Sequence, residues 1–268
     1  MNQSFESVIP NEAVVEFGAA DVATSADGQY WSAMWEQREL RYMPDELPFK
    51  DVFARHVPKS GDCIEIGCYP GGYLIYLSTQ FGLRVHGVDN FSGVGRGFAE
   101  YLSRHGANVG AVTEGDFFQF KPTVSYDLVC SFGFIEHFYD FRSVLRRHAA
   151  LVKPGGMLIV TCPNFRRVQF VLHWLFDRSN LRKHVIAAMD MEAWRATLCE
   201  SGMEIVEMGY SETFLFWTES SSRLASWIGR RISKLGMWVN SRFNRPNRFT
   251  SPFMYCVAKK VAAAGPDA

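Results

Sequence analysis

The sequence predicts an α/β fold in which a doubly wound, mostly parallel sheet of seven strands carries helices on both faces. From residue 62 to residue 163, apolar runs of strand length alternate with amphipathic stretches of helix length, which is the pattern of parallel β-α-β units. The 268 residues have 47% hydrophobic content, which is enough for one large core. A helical lid is expected before this sheet, and an extra helix is expected before its last strand.

The amino-terminal part, residues 1–57, is expected to form an arm and the helical lid. Residues 1–26 are weakly periodic and are interpreted as a mobile arm. In the stretch GQYWSAMWEQRELRY, aromatic and methionine side chains recur at helical spacing, and DELPFKDVFARHV follows as a second helical piece. These two pieces are expected to cover or brace the domain that follows, which spans residues 58–262.

The doubly wound core is expected within residues 60–163. Its predicted strands are CIEIG, RVHGVD, VGAVTEG, YDLVCSF and MLIVTCP, and its predicted helices are GYLIYLSTQFG, GFAEYLSRHG and DFRSVLRRHAALV. The glycines of KPGG indicate a turn that leads into the fifth strand.

The region from residue 164 to residue 250 is less regular. RRVQFVLHWLFDRSNLRKHVIAAM is expected to form a helix and a loop, DMEAWRATLCESG a helix, and MEIVEMGYSETFLFW a strand, before SPFMYCVAKK closes the sheet. The inserted helix is placed at residues 221–243. Its apolar residues fall largely on one side, with the arginines and Lys234 on the other; they are Leu224, Trp227, Ile228, Leu235, Trp238 and Val239.

Composition excludes several classes of protein. The six cysteines form no C-x-x-C pair, so they are interpreted as buried thiols of a protein from a reducing, cytoplasmic compartment. No apolar stretch reaches the ~20 residues of a membrane span, and the amino terminus lacks the pattern of a secretion signal. The net charge of zero argues against a dedicated nucleic-acid-binding protein, which usually carries a basic excess.

A glycine-rich turn follows the first predicted strand, in the stretch DCIEIGCYPGG. A dinucleotide-binding turn requires G-x-G-x-x-G, but Tyr69 occupies the position of the second glycine after Gly67. The pattern is instead E-x-G-x-x-x-G, with Glu65 before Gly67 and a later glycine at Gly71. A carboxylate at this position repels a pyrophosphate and suits a ligand with an ammonium or sulfonium group. The turn therefore argues against NAD.

Two further acids follow at the ends of the next strands. Asp89 ends the second strand, 22 residues after Gly67, where a carboxylate can accept hydrogen bonds from both hydroxyl groups of a ribose. Asp116 ends the third strand and can accept from an adenine amino group, while Phe117 offers its N–H or its ring. Open parallel sheets bind ligands at the carboxyl ends of their strands, so these groups are expected to form one site.

As an ordered set, these motifs resemble the class I S-adenosylmethionine-dependent methyltransferases, and residues 60–163 carry the resemblance. YDLVCSFGFIEHF and LVKPGGMLIV match further segments of the family, in the style of its small-molecule enzymes. The resemblance implies a Rossmann-like fold, S-adenosylmethionine as cofactor and an acceptor-side region at residues 164–250. The cofactor residues that it implies are Glu65, Gly67, Cys68, Tyr69, Gly71, Asp89, Asn90, Asp116, Phe117, Ser131 and Phe132.

Methyl transfer to a hydroxyl group requires alignment of the acceptor and removal of a proton. His137 follows the fourth strand closely and is the candidate base, at the pocket rim beside Glu136. The alternative is that Glu136 and His137 only cap or brace the following helix. Phe134, His173 and His184 are the candidate acceptor residues, and no metal site is predicted.

The predicted function is methylation of a small metabolite, with an oxygen of a sugar or natural product favoured. A non-catalytic regulatory protein that binds S-adenosylmethionine is one alternative, and an NAD-type oxidoreductase is another. The predicted partner is a small-molecule acceptor. The helix at 221–243 is expected to cover the pocket or to form a homodimer contact, and its basic residues beside tryptophans leave contact with an anionic membrane surface as the less favoured alternative.

Overall fold

The computed structural model describes residues 24–25, 28–36, 42–44, 47–95, 97–122, 124–219 and 222–262. Most of the predicted arm, residues 1–26, therefore lies outside the described residues. The model contains a seven-stranded sheet in the order β3-β2-β1-β4-β5-β7-β6. Only β7 runs antiparallel to its neighbours, β5 and β6. This sheet confirms the predicted fold class.

The strands of the sheet follow the predicted runs closely in its first half. They are β1 (Asp62–Ile66), β2 (Arg84–Asp89), β3 (Asn108–Glu114), β4 (Tyr126–Phe132), β5 (Val152–Pro163), β6 (Met203–Ser211) and β7 (Phe253–Lys260). The predicted KPGG turn lies inside β5, where Tyr126 pairs with Val152 but Leu128 pairs with Met157. The chain from 153 to 156 thus bulges out of the ladder, because five residue steps on β5 match two on β4.

Helices cover both faces of this sheet. They are α1 (Gly28–Glu36), α2 (Lys50–His56), α3 (Gly72–Phe81), α4 (Phe98–Arg104), α5 (Phe141–Leu151), α6 (Arg167–Phe176), α7 (Arg178–Arg182), α8 (Met191–Glu200) and α9 (Arg223–Arg242). Two buried clusters lie on the opposite faces, one around Leu145 and Trp194 and one around Phe53 and Leu74. The alternating apolar faces of β1, β4 and β5 contribute to both clusters, which explains the continuous apolar runs of these strands.

The amino-terminal helix α2 is tied to the antiparallel edge of the sheet by ion pairs. Glu207 of β6 accepts from Arg55 at 2.8 Å and from His56 at 2.5 Å, and the Tyr255 hydroxyl donates to the same carboxylate. These donors hold the pKa of Glu207 down to about 2, against the effect of burial. Phe53 of α2 packs edge-on against Phe132 at the end of β4, so α2 braces the sheet near the site.

The prediction of one long strand at residues 203–217 was wrong, because β6 ends at Ser211. Glu212 has a φ of 63°, which turns the chain out of the sheet. The N–H groups of Thr213 and Phe214 then donate to the Asn240 side chain of α9 at 2.9 Å instead of to a neighbouring strand. Residues 213–218 are therefore an irregular segment that packs on helices.

The helix at 221–243 is present as α9, but the prediction that its arginines face away from its apolar side was wrong. The side chains of Trp227 and Trp238 are more than half exposed, and the guanidinium groups of Arg231 and Arg242 lie over their rings. The buried positions of α9 are instead small residues, namely Ala225, Gly229 and Gly236. A Cβ at Gly236 would lie 2.7 Å from the Phe214 carbonyl oxygen, so a small residue there lets α9 lie directly on the irregular segment.

Candidate functional site: a glycine turn and an adjoining pocket

The turn after β1 is tightly packed at both of its key glycines. Gly67 and Gly71 have φ values of 73° and 87°, in the left-handed region that disfavours residues with a Cβ. A Cβ at Gly67 would lie 2.7 Å from the ring of Phe134, and one at Gly71 would lie 2.6 Å from Leu102. The turn therefore requires glycine for its backbone conformation and for space.

Tyr69 occupies the middle of this turn, and its peptide bond to Pro70 is cis. Its ring contacts those of Phe91 and Phe98, with centroid distances of 4.6 and 5.3 Å. Trp35 of α1 packs edge-on against the same ring at 5.3 Å. The tyrosine thus serves as an aromatic link between the turn, the segment after β2 and the amino-terminal helix.

Glu65 supplies a buried carboxylate at the foot of the turn. The residue is only 4% exposed, and its Oε2 has no hydrogen-bond partner among the described residues. Burial raises the pKa of this carboxyl group well above its usual range. A positively charged ligand group would stabilise the ionised form. The orphaned oxygen therefore fits a cofactor that carries an ammonium group.

Asp89 lies at the end of β2, next to the turn. Its two carboxylate oxygens accept from the N–H of Tyr69 at 3.0 Å and from the N–H of Phe91 at 2.9 Å. Burial nevertheless raises the pKa of Asp89. Each oxygen retains lone-pair capacity for a second donor, so the residue can both brace the turn and accept from ligand hydroxyls.

Asp116 differs from Asp89 in its environment. It is exposed, and its Oδ1 accepts from the N–H of Phe118 at 2.8 Å, which closes a turn after β3. The ring of Phe117 is buried edge-on against Phe134 at 5.7 Å, and its carbonyl oxygen accepts from Arg147 at 2.8 Å.

The other predicted cofactor residues lie around the ends of β1, β2 and β4. Cys68 is buried against Gly87 of β2, and Asn90 is exposed directly after β2. Ser131 is fully buried, and its hydroxyl has no hydrogen-bond partner in the described part of the chain. Phe132 stacks on Tyr73 with centroids 3.8 Å apart. The carboxyl ends of β2, β1 and β4 lie side by side in the sheet and carry these residues, as the order of the motifs in the sequence suggested.

A pocket of about 190 Å³ adjoins this edge beyond the end of β4. Its lining combines two histidines, two carboxylates, a lysine, an amide and one tryptophan; the residues are Gly133, Glu136, His137, Pro163, Asn180, Lys183, His184, Trp217 and Glu219. The volume corresponds to about six water molecules of liquid, so the pocket suits one small ring or the reacting end of a larger molecule. Its polar lining suits a hydroxylated or charged group.

The two histidines of the pocket share one hydrogen-bond pattern. His137 Nδ1 lies 2.9 Å from the Lys183 carbonyl oxygen, and His184 Nδ1 lies 2.8 Å from that of Asn180. Since a carbonyl can only accept, each Nδ1 carries the proton, and the Nε2 of each neutral ring carries a lone pair. The backbone thus selects the tautomer of both rings.

Burial sets the protonation of His137 and of the neighbouring acid. Burial, together with the charge of His184, lowers the pKa of His137 to about 3. Burial raises the pKa of Glu136 to about 8. Glu136 Oε1 lies 3.8 Å from His137 Nε2, and its Oε2 has no partner among the described residues. At neutral pH the imidazole is uncharged and the carboxyl group is largely protonated.

Glu136, His137 and His184 could in principle hold a metal ion, because one ligand atom from each lies within 4.8 Å of the others. Burial, and to a lesser degree the positive charge of Lys183, lowers the pKa of both imidazoles. The same two factors oppose a metal cation, because burial and a nearby positive charge both disfavour an added positive charge. The absence of a metal therefore stays a prediction, with a physical argument in its favour.

The predicted acceptor residues do not all line the pocket. His184 does, but His173 is fully buried behind it, packed against Phe165 at a centroid distance of 4.1 Å, with neither ring nitrogen bonded within the described chain. Burial lowers the pKa of His173 to about 4. Phe134 lies over Gly67, at the cofactor turn rather than in the pocket lining.

Several pocket residues were missed by the sequence reasoning. Trp217 comes from the irregular segment and was predicted as strand, Glu219 directly follows that segment, and Asn180 comes from the short helix α7. Ser25 of the predicted arm donates its N–H to the His137 carbonyl at 2.8 Å and its hydroxyl to the Lys183 carbonyl at 2.6 Å. No local pattern marks these residues, because they meet only through long-range packing.

Comparisons with known proteins support a family assignment. A family model described as a methyltransferase domain matches residues 34–208, which is more than half of the chain. No curated protein sequence matches the chain significantly. Within the described residues, no helix has the length and apolar character needed to cross a membrane.

Solved structures with this fold include proteins of different activity. N-methyltransferase NodS from Bradyrhizobium japonicum WM9, in complex with S-adenosyl-L-homocysteine, is 16% identical, with a TM-score of 0.52 over 87% of this chain and 99% of that one. Phosphoethanolamine N-methyltransferase 2 from Haemonchus contortus is 17% identical, with a TM-score of 0.53 over 79% and 52%. The [4+2]-cyclase SpnF is 15% identical, with a TM-score of 0.52 over 80% of each chain.

These likenesses show the fold alone, whereas the family model spans the glycine turn, the two strand-end acids and the pocket histidines. The buried orphan carboxylate of Glu65 and the acceptor capacity of Asp89 fit a cofactor with an ammonium group and a ribose. The chain belongs to the class I S-adenosylmethionine-dependent methyltransferases.

Proposed function

We propose that the enzyme methylates an oxygen of a small metabolite, a sugar or natural product, whose reacting end enters the pocket at Glu136, His137 and His184. The observation that carries the proposal is the fixed tautomer of His137. Its Nδ1–H is held by the Lys183 carbonyl at 2.9 Å, which leaves the Nε2 lone pair to accept a proton from a hydroxyl group.

The site divides the chemistry between two groups of residues. When bound, S-adenosylmethionine supplies a methyl group on a sulfonium sulfur, and the electron pair of the broken C–S bond returns to that sulfur. Glu65, Asp89 and the glycine turn orient this cofactor at the strand ends. His137 Nε2 takes the hydroxyl proton as the oxygen of the acceptor forms its bond to carbon. Because the oxygen becomes much more acidic as that bond forms, a weakly basic imidazole is sufficient.

Neighbouring residues are proposed to orient the acceptor. Glu136 is uncharged at neutral pH, so its carboxyl group can donate a hydrogen bond to an acceptor oxygen. His184 lies with its ring centroid 4.8 Å from that of His137. Trp217 also lines the pocket and stacks on Phe253 of β7. An aromatic wall with polar groups opposite it is a common arrangement for binding a sugar ring or a planar natural product.

The experiment is a turnover assay with hydroxylated and amine-bearing metabolites, for the parent enzyme and for His137→Gln. We expect a hydroxylated acceptor to be methylated, and the substitution to lower kcat by about 100-fold, since general-base catalysis contributes about 10²–10⁴-fold. S-adenosylhomocysteine affinity should be retained. His105→Gln is the matched control, because His105 Nδ1 bonds the Tyr101 carbonyl in the same way at 2.9 Å outside the pocket.

Two outcomes would contradict the proposal. Methylation of nitrogen only, in the manner of the activity that NodS carries in its name, would contradict the acceptor type. Full activity of His137→Gln on its best acceptor would reduce His137 to a brace for the following helix.

A further inference from the structure

The buried side of helix α6 carries polar residues, and its exposed side carries apolar ones. Within α6 the buried side chains are Gln169 and His173. Val171, Trp174 and Leu175 point to solvent, with exposed fractions of 53%, 46% and 55%. A helix on the surface of a globular protein normally shows the reverse arrangement. Packing within the chain's own core does not explain why this apolar side is exposed.

Helix α9 repeats the arrangement on a longer scale. Its outward residues Trp227, Leu235 and Trp238 are 51%, 57% and 53% exposed, and their spacing of three, eight and eleven residues keeps them on one side of the helix. The inward side carries Gly229 and Gly236. The helix therefore has large apolar side chains, but it contacts the protein through its smallest ones.

The same irregular segment holds both helices. Gln169 of α6 donates to the Leu215 carbonyl at 2.8 Å. On the α9 side, Ser233 donates to the Phe216 carbonyl and Asn240 accepts from the N–H of Phe214. The segment continues to Trp217 and Glu219 of the pocket lining. The outward side of α9, which we call the outer face, thus belongs to a helix that packs on one wall of the pocket.

The charge of α9 is entirely positive. The helix carries five basic residues and no acidic one; the basic residues are Arg223, Arg230, Arg231, Lys234 and Arg242. In the part of the chain that the structure describes, none of these five forms an ion pair. Each outward tryptophan of α9 lies next to an arginine: Arg231 is 5.2 Å from the Trp227 ring, and Arg242 is 6.0 Å from the Trp238 ring. The Trp174 ring of α6 likewise lies 4.2 Å from Arg178 of α7.

We propose that the outer face docks on an anionic lipid surface, with α9 lying in the plane of the membrane. Exposed tryptophans mixed with unpaired arginines are typical of helices at the lipid headgroup level, where the rings enter the boundary and the cations meet acidic headgroups. A protein partner would need an acidic and apolar surface of matching shape, whereas an anionic bilayer supplies both properties. The proposal concerns attachment and does not depend on the identity of the methyl acceptor.

The test is co-sedimentation of the full chain with vesicles of phosphatidylcholine, with and without phosphatidylglycerol. We expect binding to the anionic vesicles that is at least about tenfold stronger than to the neutral ones, and weaker at high salt. Trp227→Ala with Trp238→Ala should lower the partition coefficient at least about tenfold. Arg230→Gln with Lys234→Gln should lower it by a similar factor and reduce its salt dependence.

The control variant is Tyr139→Ala with Val206→Ala, which removes large exposed side chains, 62% and 46% accessible, from other elements. It should bind vesicles as the parent does. Absence of binding to anionic vesicles would overturn the proposal, as would unchanged binding by the double tryptophan variant. Conversion of a lipid-free dimer to a monomer by that variant, measured by light scattering, would assign the outer face to a contact between copies and overturn it equally.

Discussion

The glycine turn and helix α9 both depend on small residues, but the large side chains around those residues lie on opposite sides. In the turn, Gly67 and Gly71 leave room for packed neighbours and for close approach to the backbone, and the large side chains of Phe98 and Phe134 point inward. On α9, Gly229 and Gly236 bring the helix onto the protein, and the large side chains point outward. The difference shows that glycine position, rather than apolar content, decides which side of an element is buried.

The largest expected effect is on cofactor binding at the turn. Asp89→Ala removes the acceptor for two backbone N–H groups and for the ribose, so we expect affinity for S-adenosylhomocysteine to fall by at least about 100-fold, since each hydrogen bond to a charged group contributes about 1.5–3 kcal/mol. Asp116→Ala, at an exposed position, should cost about tenfold or less. Isothermal calorimetry measures both.

The control for Asp89 is Asp190→Ala. Asp190 caps α8 by accepting from the N–H of Glu192 and of Ala193, so its loss should cost about 1 kcal/mol of stability without changing cofactor affinity. Unchanged affinity of Asp89→Ala would refute the ribose assignment.

The second largest effect is on stability, and it distinguishes steric contact from backbone strain in the turn. Gly67 and Gly97 have φ values of 73° and 70°. Substitution of either residue by alanine therefore costs about 1–2 kcal/mol of stability, because the alanine has to adopt the left-handed conformation. A Cβ at Gly67 would meet Phe134 at 2.7 Å, whereas one at Gly97 would meet nothing within 4 Å. Gly67→Ala should therefore lower the free energy of unfolding by about 1–3 kcal/mol more than Gly97→Ala.

Urea unfolding of the two variants measures this difference. Equal losses would show that the Phe134 ring moves freely, and the close packing of the turn would then play no part in its specificity for glycine.

The smallest effect probes the packing of α9 on the irregular segment. Within a helix, alanine is favoured over glycine by about 1 kcal/mol. At Gly236 a Cβ would meet the Phe214 carbonyl at 2.7 Å, which is backbone, but at Gly229 it would meet a methyl group of the Thr218 side chain at 2.7 Å, and a side chain can shift. Gly229→Ala should be close to neutral, while Gly236→Ala should lower the melting temperature by about 2–4 °C.

S-adenosylhomocysteine affinity of both α9 variants should equal that of the parent, because neither position touches the turn. A loss of affinity in Gly236→Ala alone would mean that the turn and α9 are coupled through the irregular segment.

The first half of the sheet could be predicted from the sequence because its signals are local. A buried strand is a short apolar run, and a turn with positive φ requires glycine, so the strands from Asp62 to Phe132 and the turn at Gly67 follow from neighbouring residues alone. Asp89 was predicted for the same reason, since the end of a strand fixes where its last side chain lies.

The pocket and α9 were decided by tertiary structure. Ser25, Asn180 and Trp217 are far apart in the sequence and meet only when the sheet is assembled, and no periodicity marks such a meeting. For α9 the sequence determined that a helix forms and that it is basic and amphipathic. Which side it buries was decided by the irregular segment at 213–218, because the small residues Ala225, Gly229 and Gly236 let the helix lie against it.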